Sequence, residues 1–169
     1  MSSRSLARQA IKDWLDAGEI LYLDKVFVAP PLRLSFPQYS QNDHHNCQIV
    51  VFIDDQGEMR MSLGGANSGK KRIDYMIALE IYYRCTLPDP ETAQDVFDDL
   101  VDAINARLRA DRRLGVSDSL NSESVIWQAG EGGYGIQIDF KDPADGNIGG
   151  EPIEHYARMR FEVTQWITA

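Results

Sequence analysis

Gly64-Gly65-Ala66-Asn67-Ser68-Gly69-Lys70-Lys71 fits the pattern G-x-x-x-x-G-K, a loop whose backbone amides cradle phosphates while its lysine reaches the terminal ones. The next position should be Ser or Thr, whose hydroxyl holds magnesium, and this chain has Lys71 there. Such a loop also opens a helix whose N-terminus faces the phosphates. The residues that follow alternate apolar and polar, the period of a strand. A loop between two strands is therefore the expectation for this segment.

Asp43-His44-His45-Asn46-Cys47 offers metal-ligating side chains. Neighbouring histidines of an extended chain point to opposite sides, and no second ligand pair follows at metal-site spacing. His155 stands alone in a strand-like run and is expected to pack. The serines lack a G-x-S-x-G elbow, and no Cys-His pair has the pattern of a nucleophile and its base. Asp98-Asp99 belongs to the solvated side of a helical stripe. Cys47 and Cys85 lie in strand-like runs without a C-x-x-C partner and are expected to be buried thiols. These residues predict no enzyme, no cofactor and no metal.

The elements that carry these residues are legible from their periods. Leu6, Ala7, Ala10, Ile11, Trp14 and Leu15 fall at helical spacing, with Gly18 as a stop. Residues 21–28 read as a strand. Pro30, Pro31 and Pro37 keep the next stretch out of sheet pairing, so 30–46 is expected to be a long surface loop displaying Phe36 and Tyr39. Residues 49–54 read as a strand, Asp55-Gln56-Gly57 as a hairpin turn, and 58–63 as its return. In 72–85, Ile73, Tyr75, Ile77, Leu79, Ile81 and Tyr83 share one face, with Arg72, Asp74, Glu80 and Arg84 on the other.

Asp89 then caps a second helix with Pro90 at its first position. Its stripe is Ala93, Val96, Phe97, Leu100, Val101, Ile104 and Leu108. Acids crowd its first half and arginines its end, an order that suits the helix dipole. Strands are predicted at 125–127, 134–140 and 153–167, with Tyr134 beside a Gly-rich link and a surface loop at 141–152. The two runs 72–85 and 153–167 are long for strands, whose usual length is about five or six residues. Long strands often reach past their own domain to meet neighbours.

The whole sums to one α+β domain over 1–169, a mixed or antiparallel sheet with two amphipathic helices on one face. At 169 residues a chain buries roughly 70% of its unfolded surface without disulfide staples. Hydrophobic residues are 43% and charged residues 25%, as in soluble globular proteins. Apolar runs such as Ile49-Val50-Val51-Phe52-Ile53 fall short of the ~20 residues that span a bilayer, and a cytoplasm-like compartment is expected. The net charge of −9 argues against a protein that grips nucleic acid by its phosphates.

The order of elements, with four segments, resembles a known family. These are Ile11-Lys12-Asp13-Trp14-Leu15; Arg72-Ile73-Asp74-Tyr75-Met76-Ile77; Phe97-Asp98-Asp99-Leu100-Val101-Asp102-Ala103-Ile104 running on to Leu108-Arg109-Ala110-Asp111; and Tyr156-Ala157-Arg158-Met159-Arg160-Phe161-Glu162-Val163-Thr164-Gln165-Trp166-Ile167. Over most of the chain this is similar to the tail terminator (tail completion) proteins of long-tailed bacteriophages. The resemblance implies a structural virion protein of the tail or neck, assembled in the host cytoplasm. Six copies would close into a ring on the tail tube, end its polymerisation and join it to the head-side connector or stopper protein. Genomic DNA would only pass through, with acids such as Asp54, Asp55 or Glu58 near the hole.

The family brings no catalytic residues. Loops 30–46 and 142–151 are long for it. Candidate contacts with the next subunit or a partner are Phe36, Tyr39, His44, His45, Lys70, Lys71, Arg72 and Tyr134. Three other readings stand beside it: another neck or tail component, such as a head-completion or tail-tube subunit, which shares the size and fold class; an enzyme of unknown type, which would need a polar pocket with shifted pKa values; and a non-viral protein-binding module. A first expectation concerns the glycine-rich loop. Calorimetry should find no saturable ATP binding, in the parent or in Lys70→Ala and Lys71→Ala. Saturable binding abolished by Lys70→Ala would restore the phosphate loop.

Overall fold

The computed structural model describes residues 3–36, 44–60, 70–86, 89–111, 113–115, 125–127, 135–142 and 154–168. The first helix, α1 (Ser3–Asp16), buries Ala7, Ile11 and Leu15 completely, a row at spacing four. Its solvent side is tied by Gln9 to Asp13 and Lys12 to Asp16, pairs that stabilise a helix modestly. A turn with left-handed Glu19 and Tyr22 delivers the chain to β1 (Leu23–Phe27). The strands β2 (His45–Arg60) and β3 (Lys70–Cys85) follow, then α2 (Pro90–Ala110). Three strands complete the order: β4 (Val125–Trp127), β5 (Gln137–Lys141) and β6 (His155–Thr168).

They form one mixed sheet in the order β1-β2-β3-β6, with β4 and β5 both on the outer edge of β6. β4 takes 163–165 and β5 takes 156–160 of that edge. Among the described strands only β1 with β2 is parallel; the other pairs are antiparallel.

The alternation along β3 selects the buried face. Ile73, Tyr75, Ile77, Leu79, Ile81 and Tyr83 join Cys47, Ile49 and Val51 of β2 and Ala157, Met159, Phe161 and Val163 of β6. Both helices cover this face. From α2 come Ala93, Phe97, Leu100, Val101, Ile104 and Leu108. Asp89 caps α2, its carboxylate accepting from the Glu91 amide and from the Thr92 hydroxyl. The helix stops at Ala110, where the Asp111 carboxylate accepts the amides of Arg113 and Gly115. Gly115 has a φ of +70°, and a Cβ there would lie 2.8 Å from the Trp14 ring. Trp14 itself is half-buried, not the core residue its stripe predicts. Its indole N–H donates to the Arg107 carbonyl at 2.8 Å, and the Arg107 guanidinium lies 3.5 Å over its ring. It clamps α1 to α2 at the rim.

Two expectations are corrected. Asp55-Gln56-Gly57 makes no hairpin turn: β2 runs through it and stays paired with β3 from His45↔Cys85 to Arg60↔Lys71. A bulge between Ile53 and Asp55 absorbs the turn-prone residues, and it shifts the alternation by one. Gln56 consequently falls on the helix side, where Arg4 of α1 donates to it. The second correction is Phe36, which is only 4% exposed. With Leu34 it folds back over the outer face of the sheet, onto Val50, Tyr82 and Tyr156. Gln48 fastens this segment by donating to the Ser35 carbonyl at 2.8 Å.

The packing of α2 is open to a direct check. Phe97 is 1% exposed, with the Tyr83 and His155 rings 5.5 and 5.2 Å away. Phe97→Ala should cost about 3–5 kcal/mol in chemical denaturation. A loss within about half a kcal/mol, the range of surface substitutions, would mean α2 is not packed there.

Candidate functional site

Two groups of polar residues lie at opposite ends of the long strands. The first is built on the start of β2 and the end of β3. His44 Nδ1 lies 3.0 Å from the Thr86 hydroxyl, and His45 Nδ1 is hydrogen-bonded to the Tyr83 hydroxyl. The His45 ring also meets Tyr22 at 4.8 Å. His155 of β6 stacks on Phe97 at 5.2 Å and meets Tyr83 at 5.7 Å. Burial pushes its pKa below the usual 6.5, with Asp98 acting weakly the other way. Burial likewise raises the Tyr83 hydroxyl and the Cys47 thiol, far from any reactive anion. Cys47 and Cys85 are free and buried. Each histidine has its own aromatic or hydroxyl partner. Among the described residues no group of three His, Cys, Asp or Glu is arranged to hold a metal.

The second group crosses the helix-free face. Asp54 pairs with Arg158 at 2.5 Å and Arg160 at 3.3 Å. Arg72 pairs with Asp74 at 2.8 Å and Glu162 at 3.7 Å, and the Thr164 hydroxyl donates to Asp74 at 2.6 Å. On the other side of the sheet, the side of Ile73, Lys71 pairs with Glu58 at 2.8 Å. Strand register produces this belt, since Arg72, Asp74, Arg158, Arg160 and Glu162 are the alternate, outward positions of two adjacent strands. Asp54, Arg72, Asp74, Arg158, Arg160 and Glu162 balance as three acids against three bases. The Asp54 and Glu58 carboxylates, expected to give an acidic wall, are thus neutralised by neighbours.

The sequence-derived contact candidates therefore divide. Arg72 stands in the charged belt, Lys71 pairs with Glu58 on the other side of the sheet, and Lys70 is the first residue of β3. His44 and His45 lie at the far end of the same ladder, roughly 45 Å away at the ordinary rise of a strand. They do not form one site with the lysines. Phe36 is buried inside the protein's own second apolar cluster and presents no surface anchor. Tyr39 and Tyr134 lie outside the described residues, as do positions 64–69 of the glycine-rich loop. Lys70 and Lys71 open a strand, where a phosphate loop would open a helix. The Asp54, Arg158 and Arg160 group escapes sequence reasoning. Its only trace there is the alternation of charge along 158–162.

No family model matches this chain, and no curated protein matches it. Among solved structures it is similar to the sheath/tube terminator of an extracellular contractile injection system (PVC) in its extended state. Identity is 17% and the TM-score 0.38, over 95% of this chain. The match spans 56% of the terminator chain's length. At that score the likeness carries no argument about function.

Proposed function

We propose that this chain is a structural subunit of a tail terminator: copies close into a ring on a tail tube, end its polymerisation and join it to a head-side component. The resemblance of the sequence to phage tail terminators supports this reading, with six copies as the implied number and DNA only passing through.

The observation that carries it is the far arm of the β2–β3 hairpin. Pairing continues to Arg60↔Lys71, yet on β2 no residue beyond Val51 is buried among those described. Met59 is 56% exposed near the tip. A strand of sixteen residues is roughly 50 Å long, whereas a chain of this size has a radius of gyration of about 15 Å. The β2 half of this arm, whose side chains past Val51 stay partly or fully exposed while Ile73, Tyr75 and Ile77 of β3 beside it are buried, suits contact with a neighbouring copy. A ring subunit must offer two different patches, head to tail. The arm is one, and the charge-balanced outer face is the second. Balanced charges also suit a wall that DNA passes without being held, since net positive charge is what grips phosphates. No catalytic role is part of this proposal.

Mass photometry and electron microscopy of the purified protein, alone and with tail tubes, test it. A closed ring of uniform size, free or seated on tube ends, is expected. Met59→Glu should weaken assembly without lowering the thermal midpoint of the subunit. A monomer that ignores tube ends would overturn the proposal. Open-ended tubes built from this protein itself would identify a tube subunit instead.

A further inference from the structure

Helix α2 leaves part of the sheet uncovered. It stands over β6, but beside β5 a cleft of about 470 Å³ opens. Phe97, Phe140 and His155 form its apolar side; Gln94, Asp98 and Asp102, one row at spacing four on α2, form the other. Phe140 is 58% exposed and meets the Phe97 ring edge-on at 6.0 Å. Lys141 is the one cation among the described residues that line the cleft.

Three features define what would fit. First, among the described strands β5 pairs only with β6, so none of them meets its outer amides and carbonyls, the groups by which an edge takes up a further strand. Second, Asp98 and Asp102 are like charges one turn apart, a destabilising arrangement that a cation between them would relieve. Asp98 accepts a hydrogen bond from the Gln94 amide at 2.8 Å, and neither acid pairs with a base among the described residues. Third, aromatic faces beside carboxylates attract Lys and Arg by their quadrupoles as well as their apolar surface. Burial keeps His155 neutral at pH 7, so it does not repel such a group. Lys141 lines the cleft but forms no ion pair with either acid, so both carboxylates remain available to a basic side chain of another molecule.

We infer that the cleft between α2 and β5 docks an extended, arginine- or lysine-bearing segment of a partner protein. The segment adds to β5 as a strand. One basic side chain lies against Phe140, between Asp98 and Asp102. Main-chain bonds supply affinity in this mode, and pockets for alternate side chains supply selectivity. The inference does not depend on ring formation, because the cleft is complete within one copy.

The test uses the full chain and a capped peptide, Thr-Val-Arg-Val-Arg-Val-Thr, followed by NMR amide shifts and fluorescence titration. Saturable binding with shifts at 137–141 is expected. The double variant Asp98→Asn with Asp102→Asn should weaken it roughly tenfold, in line with two half-exposed charge contacts. Asp95→Asn with Asp99→Asn, on the same helix but outside the cleft, should leave affinity unchanged. No saturable binding would overturn the inference. So would equal binding of the same peptide with Glu for Arg. Equal losses from both double variants would overturn it as well, since they would show attraction to the helix at large.

Discussion

Strand β3 holds hydrogen-bonded neighbours on both edges along nearly its whole length, and every other element takes its place from that pairing. On one side the ladder runs from Lys71↔Arg60 to Cys85↔His45, on the other from Lys70↔Thr168 to Tyr83↔His155. Side chains alternate with a period of two, so a slip of one residue would exchange the faces of the sheet. Tyr75, Ile77, Leu79 and Ile81, all fully buried, would then meet water, and Arg72, Asp74 and Glu80 would meet the helices. Burying unpaired charge costs far more than a surface ion pair returns. Register is therefore fixed by the core, and the ion pairs of the outer face are its by-product.

The two faces of the sheet consequently do different work. The helix side is apolar, closed by α1 and α2 and clamped at the rim by Trp14 and Arg107. Among the described residues, the outer side has its buried apolar cluster where Leu34 and Phe36 return over Val50, Tyr82 and Tyr156. Beyond that patch it carries the belt from Asp54 to Glu162. Half-exposed pairs of this kind contribute about 0–1 kcal/mol each, so they do not hold the fold together. They give a surface with little net charge and many donors and acceptors, a suitable face for contact with another subunit.

Much of this was legible in the sequence, for reasons tied to local signals. Strand β3 follows from six apolar residues at period two, and α2 from Asp89, Pro90 and a stripe that ends at Leu108. The two helices do share one face of a mixed sheet, as those stripes require. Strand β2 was harder, because Asp55-Gln56-Gly57 has turn chemistry and only its pairing with 74–76 of β3 turns it into a bulge. Phe36 misled for a related reason. Prolines and polar neighbours mark its stretch as loop, but nothing local tells that the loop lies back on the sheet. The ion pairs of Asp54 join residues 104 apart along the chain, and such pairings emerge only with the register. The cleft beside α2 needed both strand order and the position of Phe140. The sequence places Asp98 and Asp102 on a solvated helix side and stops there.

Native-state hydrogen exchange gives the most direct test of β3 as the support of the fold. Amides that open only with global unfolding exchange slowest. With β3 as that support, the slowest set lies in 75–83 of β3 and in the facing parts of β2 and β6. Amides of β1 and β5, each on an edge, should exchange faster through local opening. Exchange in the middle of β3 as fast as in β1 or β5, under conditions where the chain stays folded, would contradict it.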